Sequence, residues 1–115
     1  MRLMISAEFL LGDGCFSLKI SGHAEYASCG SDIVCAAVSG IFYALLGYAA
    51  NECERLHIKN ISSGIADIEV SADGEEAMKL AYIGFLQIAA SYPGTVSVKE
   101  SVWGFKVNSP LCACR

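Results

Sequence analysis

The chain has 115 residues, a net charge of −4 at pH 7 and a pI of about 5.0. This length is typical of a single domain, and the acidic balance argues against direct binding to nucleic acid, which requires a clustered basic surface. Hydrophobic residues make up 54% of the chain and charged residues only 17%. Such a composition predicts that a partner covers part of the surface, most simply a second copy in a homodimer.

The N-terminal residues do not resemble an export signal. Residues 1–14 contain one arginine and several apolar residues, but Glu8 interrupts the apolar run and no small-residue cleavage site follows. We therefore interpret this segment as a strand and predict a cytoplasmic protein. The cysteines are then expected to be reduced thiols; they are Cys15, Cys29, Cys35, Cys53, Cys112 and Cys114.

A β-hairpin is predicted at the start of the chain. Residues 3–9 and 15–20 have the pattern of strands, and the Asp13-Gly14 pair between them is a strong signal for a tight turn. The following stretch, 21–31, is polar, has a glycine near each end and lacks clear periodicity, so it is predicted to be a loop.

A long helix is predicted next, with Ser31 or Asp32 as its N-cap and an end near Arg55. Residues 33–50 carry no charge and reach the length of a membrane span. We favour a helix buried in the domain or in a dimer, and no membrane insertion, because strand-like segments flank it on both sides. Its predicted core positions have helical spacing: Val34, Val38, Ile41, Leu45 and Tyr48. A stripe of small residues that would admit another backbone comprises Ala36, Gly40 and Ala44.

The second half of the chain continues to alternate strands with helices. A third strand is predicted within residues 58–71, where Ile65, Asp67 and Glu69 alternate with Ala66, Ile68 and Val70. Asp73 is placed to cap a second helix, which the Tyr-Pro-Gly sequence at 92–94 ends, and residues 95–107 form a last strand. The order ββαβαβ predicts a single compact α/β domain of the α+β type, with a largely antiparallel sheet and two helices.

Cys35 is the first candidate for chemistry. The predicted helix start puts it in the first turn, where peptide N–H groups are unpaired and the macrodipole is positive, so a thiolate is stabilised. The same N–H groups are suited to hold the oxyanion that forms when a thiolate attacks a peptide carbonyl. A nucleophilic cysteine also needs a base, which is usually a histidine.

The chain has two histidines. His23 lies in the predicted loop, twelve residues before Cys35, whereas His57 lies beside Lys59 in a connection that we expect to be solvated. Twelve residues permit contact between His23 and Cys35 without requiring it, and a cysteine in an apolar helix is more often a small core residue. These features alone leave both a Cys-His dyad and a structural cysteine open.

The segment over residues 22–39 carries a more specific signal. It has Gly-His-Ala at 22–24, a glycine at 30 and Asp-Ile-Val-Cys-Ala-Ala-Val-Ser at 32–39. In this order the residues closely resemble the signature of the Prp family, the bacterial ribosomal-processing cysteine proteases. The resemblance extends more weakly to the whole chain through its length, the opening hairpin, the element order and the Tyr-Pro-Gly turn.

The resemblance implies a cysteine endopeptidase that removes a short N-terminal extension from a large-subunit ribosomal protein and forms a homodimer. It implies that His23 is the base and Cys35 the nucleophile, with Asp32 and Ser39 as supporting residues near this dyad. Asp32 either orients the His23 imidazolium or only caps the helix. The Ser39 hydroxyl bonds either the thiol or, as we favour, the carbonyl of Cys35.

The resemblance further implies that the loop between the histidine and the cysteine rearranges when substrate binds. Gly22 and Gly30 are suited to act as hinges of a mobile lid over about residues 22–31. Family members cut after aromatic residues and before a small one, but no residue of this sequence identifies the pocket. The aromatic side chains near the lid, Tyr26 and Phe42, are candidates.

Two other interpretations compete with the protease. The first is a non-catalytic, ribosome-associated binding or assembly factor in which Cys35 is structural. The second is a metal or redox site, which is disfavoured because the spacing of its ligands matches no common zinc pattern; its members would be His23, Cys29, Asp32 and Cys35. The sequence therefore predicts no cofactor and no metal. The role of the tail over 108–115, which contains a Cys-Ala-Cys sequence, is left open.

Overall fold

The computed structural model describes residues 4–22, 29–62 and 64–102, with the backbone alone for residues 29–32. The predicted fold class is confirmed, because the described elements form one α+β domain with two helices on a sheet. In chain order these elements are β1 (Ile5–Gly12), β2 (Cys15–Ser21), α1 (Cys29–Glu52), β3 (Leu56–Ser62), β4 (Ile65–Ser71), a 3-10 turn (Ala72–Gly74), α2 (Glu75–Ser91) and β5 (Val96–Glu100).

The five strands form one mixed sheet in the order β3-β4-β2-β1-β5. The pairs β1–β2, β2–β4 and β3–β4 are antiparallel, as the prediction of a largely antiparallel sheet requires. β5 is parallel to β1, because the chain crosses over the sheet through α2 before it returns. The start of β1, the end of β2 and the β3–β4 turn therefore lie at the same end of the sheet.

The predicted opening hairpin is confirmed. Asp13 and Gly14 both have positive φ angles, of 52° and 74°, which a two-residue turn of the primed type needs. Gly12 pairs with Cys15 directly below this turn.

The element order ββαβαβ was wrong by one strand. The region predicted to be a single third strand is a hairpin of two antiparallel strands, β3 and β4, which are paired as far as Ser62 and Ile65. A register shift between Ile58 and Asn60 breaks the alternation of side chains in β3, and nearly all of β3 is exposed. Because β3 lacks a regular alternation of buried and exposed residues, only β4 has a recognisable strand pattern, and the sequence pattern predicted one strand where there are two.

α1 begins earlier and ends earlier than predicted. It extends over Cys29–Glu52, so neither Ser31 nor Asp32 is its N-cap, and residues 29–31 are helical and do not belong to the predicted loop. The loop residues 23–28, which include His23 and Tyr26, lie outside the described residues. The prediction of a mobile lid over about 22–31 thus stays a prediction, with its last three residues reassigned to the helix.

The core lies between the helices and one face of the sheet. On α1 the fully buried positions include Phe42 and Ala49 in place of the predicted Ile41, which is half-buried, and Tyr48, which is exposed. A helical spacing of three or four residues is compatible with either Ile41 or Phe42, and with either Tyr48 or Ala49, as the core position. In the structure Phe42 and Ala49 are the residues that pack into the core. The buried stripe of α1 is Val34, Val38, Phe42, Leu45 and Ala49.

The second helix packs against the same core through Phe85, whose ring lies 5.9 Å from that of Phe9. The predicted cap was wrong, because the N-cap of α2 is Gly74 and no side chain caps it. Asp73 lies in the 3-10 turn, where its carboxylate accepts hydrogen bonds from the Ser71 hydroxyl and from the N–H of Glu54 at 2.9 Å. It thereby fastens the end of α1 to the end of β4.

The end of the domain agrees with the prediction up to the last strand. α2 ends at Ser91, before the Tyr-Pro-Gly sequence, and Gly94 has a φ of 81°. Of the predicted strand over 95–107, Val96–Glu100 form β5, and residues 103–107 lie outside the described residues. The tail over 108–115 lies outside the described residues.

α1 also contains the apolar stretch noted in the sequence. Over Ile33–Glu52 it is long and apolar enough to span a membrane by length and composition alone, and 28% of this stretch is buried within the structure. Its stripe from Val34 to Ala49 packs on the sheet, and a core helix of this kind passes the same test. The absence of membrane insertion stays a prediction.

Candidate active site

A cavity of about 210 Å³ opens at one end of the sheet, between the first half of α1 and the β3–β4 turn. None of its described lining residues carries a charge, and most of them are apolar. The lining residues are Ile5, Ile20, Gly22, Cys35, Val38, Ser39, Phe42, Tyr43, Ile61, Ser62, Gly64, Ile65 and Ala66.

Cys35 lines this cavity from α1 and is partly buried. It is the seventh residue of the helix, so its predicted place in the first turn was wrong. The unpaired N–H groups of a helix that begins at Cys29 end in its first turn, before Asp32, whereas those of residues 33–35 bond within the helix. The influence of the dipole also falls off after the first turn. Helix-terminal N–H groups therefore do not surround Cys35, and the predicted oxyanion site needs other donors.

Ser39 lies one turn after Cys35, and its exposed side chain lines the same cavity. Side chains four residues apart on a helix are neighbours, at about 5–6 Å between their Cβ atoms. Both roles predicted for the Ser39 hydroxyl, a hydrogen bond to the Cys35 thiol and the favoured bond to the Cys35 carbonyl, stay predictions.

Of the remaining predicted site residues, only Gly22 is fully described by the structure. His23 lies outside the described residues, and of Asp32 and Gly30 only the helical backbone is described. Gly22, which directly precedes His23 in the chain, lines the same cavity as Cys35. The chain therefore enters the His23 segment from the rim of this cavity.

Gly22 is held in place by two neighbouring segments. Its N–H donates a 2.9 Å hydrogen bond to the carbonyl of Gly64 in the β3–β4 turn. Its φ is +93°, and a Cβ added to it would lie 2.5 Å from the carbonyl oxygen of Met4. Glycine is thus required here for conformation and for space.

The sequence did not identify the wall of the cavity that faces Cys35. Ile61 and Ile65 come from the β3–β4 hairpin, for which the sequence pattern predicted a single strand. No sequence pattern indicated a role for Tyr43, which also lines the cavity. The Ser-Ser-Gly sequence at 62–64 is the signal that indicates the turn between the strands. Of the two aromatic candidates named from the sequence, Phe42 lines the cavity as a buried residue.

The other described cysteines have different surroundings. Cys15 lines a separate cavity with Arg55 and His57, and Cys53 follows the end of α1. Burial raises the pKa of the Cys53 thiol, and the carboxylates of Asp73 and Glu52 raise this pKa further. Among the described residues no group of three or more His, Cys, Asp or Glu side chains could hold a metal ion.

The arrangement brings a thiol and a hydroxyl to the wall of an open, largely apolar cavity. The cavity is smaller than the range of about 300–1,000 Å³ found for whole small-molecule ligands. Such a site suits a polymer substrate that inserts one side chain while its backbone lies across the thiol. A nucleophilic attack on a peptide bond requires this placement, in which the scissile carbonyl carbon is held next to the sulfur.

Comparisons with known proteins agree with this chemistry. The family model described as cysteine protease Prp matches residues 4–97. Two structures of a ribosomal processing protease Prp from S. aureus, one with a substrate peptide and one with a covalently linked product peptide, are 20% identical to the chain. Each covers 85% of this chain and 100% of its own, with a TM-score of 0.70.

A third similar structure is SMU.848 from Streptococcus mutans, which is 24% identical to the chain. It covers 84% of this chain and 93% of its own, with a TM-score of 0.62. At these identities the solved structures show a shared fold. No curated protein sequence matches the chain.

Proposed function

The chain belongs to the Prp family of cysteine proteases, and we propose that it hydrolyses a peptide bond through attack of the Cys35 thiolate. The observation that carries this proposal is the position of the thiol. Of the three cysteines whose side chains the structure describes, only Cys35 lines the cavity between α1 and the β3–β4 turn. That cavity has room for a substrate side chain beside the sulfur.

In the proposed reaction His23 takes the proton of the Cys35 thiol, and the thiolate adds to the scissile carbonyl carbon. His23 then returns the proton to the leaving amine nitrogen as the C–N bond breaks. Water hydrolyses the resulting thioester, which releases the new carboxylic acid and regenerates the thiol. The position of Gly22 on the rim of this cavity, one residue before His23, supports the pairing.

Asp32 and Ser39 are proposed to support this dyad. Asp32 lies about one helical turn before Cys35, and Ser39 lies one turn after it, so all three are on the same side of α1. Because α1 begins at Cys29, Asp32 is not available as the N-cap. We therefore favour the role in which its carboxylate orients the His23 imidazolium.

The proposed substrate is the N-terminal extension of a large-subunit ribosomal protein, cleaved in the cytoplasm. Support comes from the similar S. aureus protein, which is named a ribosomal processing protease and was solved with a substrate peptide. The net charge of −4 also favours encounter with a basic ribosomal protein.

The proposal is tested by incubating the protein with a ribosomal protein that carries such an extension and measuring cleavage by mass spectrometry. Cys35→Ala and His23→Ala are each expected to reduce cleavage by at least a thousand-fold. Cys15→Ala is the matched control, since it removes a partly buried thiol outside this cavity, and it is expected to retain cleavage.

The alternative function is that of a binding factor in which Cys35 is structural. It predicts that Cys35→Ala and Cys15→Ala behave alike in every assay of processing. Retained cleavage in the Cys35→Ala variant would contradict the protease proposal.

We further propose a homodimer that buries the outer face of the two helices. The small residues Ala36, Gly40 and Ala44 are exposed along α1, and Leu80 on α2 is 73% exposed. A Cβ added at Gly40 would meet nothing within 4 Å in the isolated chain, so the space above it is open to a partner. Small residues let two helices approach closely, and covering this face would remove a large apolar surface from water.

The dimer is tested by sedimentation. Gly40→Arg is expected to convert the dimer to a monomer, because it inserts a long charged side chain into the stripe. Leu11→Arg introduces the same charge at an exposed position of β1, outside the small-residue stripe of α1, and is expected to keep the dimer. A monomeric wild-type protein, or a dimer that survives Gly40→Arg, would exclude this interface.

A further inference from the structure

The cavity beside Cys35 has two apolar side chains at its mouth, one on each wall. Tyr43 lies on α1, two turns after Cys35 on the same side of the helix, and it is 59% exposed. Ile61 lies on β3, and its pairing with the buried Ala66 puts it on the helix-facing side of the sheet. Ile61 is nevertheless 40% exposed, because no described side chain fills the space in front of it.

The floor between these two side chains is also apolar. Val38 and Phe42 are buried beneath the cavity and belong to the core, so they do not move aside readily. None of the described lining residues is charged. A charged or strongly polar side chain that came to lie against these described residues would lose its water without gaining a charged partner among them, whereas an apolar one would gain burial.

The wall that carries Ile61 is fixed before any substrate arrives. β4 is paired with β2 along its length, β3 is paired with β4, and the bond from Gly22 to Gly64 fastens the turn between them to the end of β2. A preformed wall loses little conformational freedom on binding, so it can discriminate between side chains by shape.

We infer that Ile61 and Tyr43 determine the specificity of the enzyme, by binding between them one bulky apolar side chain of the peptide next to the bond that Cys35 attacks. This inference rests on the proposed function. It assigns the β3–β4 hairpin a direct role in choosing the substrate, in addition to its place in the sheet. Ile61 and Tyr43 are not placed within the bond-breaking machinery.

The test measures kcat/KM for matched peptides that carry Phe, Leu or Ala at each position flanking the cleaved bond. We expect the wild-type protein to prefer Phe or Leu to Ala at one of these positions. Ile61→Ala and Tyr43→Ala are expected to reduce that preference about tenfold or more, mainly through a higher KM for the bulky peptide. Tyr43→Phe keeps the aromatic ring and is expected to retain the preference for the bulky peptide.

Ile58→Ala is the matched control. Ile58 lies on the same strand and faces the same side, since it pairs with the buried Ile68, and its exposure of 48% is close to that of Ile61. It does not line the cavity. This variant is expected to leave the preference between peptides unchanged.

A variant that fills the cavity keeps the test independent of any loss of stability. Ile61→Phe narrows the space and is expected to shift the preference from Phe toward Ala in the peptide.

The two proposals fail in distinguishable ways. If Cys35→Ala abolishes cleavage while the Ile61 and Tyr43 variants all keep the wild-type preference, the specificity assignment is overturned and the protease function stands. If Ile58→Ala reduces the preference as strongly as Ile61→Ala, the assignment is overturned as well. Cleavage that persists in Cys35→Ala overturns the protease function, and with it the assignment.

Discussion

The backbone N–H of Gly22 donates a 2.9 Å hydrogen bond to the carbonyl oxygen of Gly64. These residues are far apart in the chain, and the bond joins the end of β2 to the β3–β4 turn. Both residues border the cavity that contains Cys35. The bond therefore fixes the wall opposite α1 and the point from which the chain continues to His23.

Substitution of Gly22 by alanine is expected to destabilise the protein. The positive φ and the close carbonyl of Met4 both oppose a Cβ, so we expect a loss of about 1–3 kcal/mol in the free energy of unfolding. Gly12→Ala is the control, because its Cβ would meet nothing within 4 Å, and it is expected to raise stability by up to about 1 kcal/mol. Urea denaturation measures both, and equal effects would contradict the role of Gly22.

The register of α1 is tested by two adjacent aromatic residues. Phe42 is buried in the core and Tyr43 is 59% exposed. Phe42→Ala is expected to cost about 3–5 kcal/mol, whereas Tyr43→Ala is expected to change the free energy of unfolding by no more than about 0.5 kcal/mol. Urea denaturation distinguishes them, and a reversed order would mean that the helix presents another face to the sheet.

The stability of the domain is expected to depend on Asp73 in a pH-dependent way. The hydrogen bond from the Ser71 hydroxyl, and then that from the N–H of Glu54, lower the pKa of the Asp73 carboxyl below its ordinary value. A lowered folded-state pKa stabilises the folded state above the unfolded pKa, which is about 3.9. This contribution is lost as the pH falls through the folded pKa.

The measurement compares the wild-type protein with Asp73→Asn by urea denaturation at pH 7 and at pH values below 4. We expect the wild-type protein to be the more stable at pH 7 and the difference to shrink in acid. Asp13→Asn is the control, since it changes an exposed aspartate at a turn where asparagine also adopts a positive φ. A difference in the free energy of unfolding that stays constant with pH would rule out stabilisation by the ionised, hydrogen-bonded carboxylate of Asp73.

The described thiols are expected to react at different rates with iodoacetamide. Burial, and then the nearby Asp73 and Glu52 carboxylates, raise the pKa of Cys53, so little of it is thiolate at neutral pH. Cys35 faces the open cavity and is paired with His23 in the proposed mechanism. Timed labelling followed by mass spectrometry should show Cys35 modified before Cys53, and His23→Ala should slow Cys35 alone. Equal rates at the two cysteines would contradict the proposed activation.

Cleavage is expected to depend on ionic strength. An acidic protein attracts a basic peptide, and salt screens this attraction over about 10 Å at 0.1 M. We expect kcat/KM to fall several-fold with added salt while kcat changes little. A peptide with the same cleavage site but with glutamine in place of its basic residues should lack this dependence, and a similar fall for both peptides would exclude steering by charge.

Local patterns in the sequence predicted the elements that are built from local interactions. Asp13-Gly14 indicated the first hairpin because positive φ angles are needed there, and the Tyr-Pro-Gly sequence indicated the end of α2. The β3–β4 hairpin was missed because the register shift after Ile58 interrupts the alternation that marks a strand. The start of α1 was misplaced because Asp32 has the character of an N-cap, whereas the helix continues to Cys29.

By itself the sequence determined the family, through the ordered residues at 22–39, and with it the candidate nucleophile Cys35. Only the tertiary structure decided what faces that thiol. Tyr43 and Ile61 belong to different elements, and they meet across one cavity because the sheet register brings the β3–β4 turn to the end of β2 and α1 packs above it. Such contacts depend on the packing of distant segments, which no local pattern of residues records.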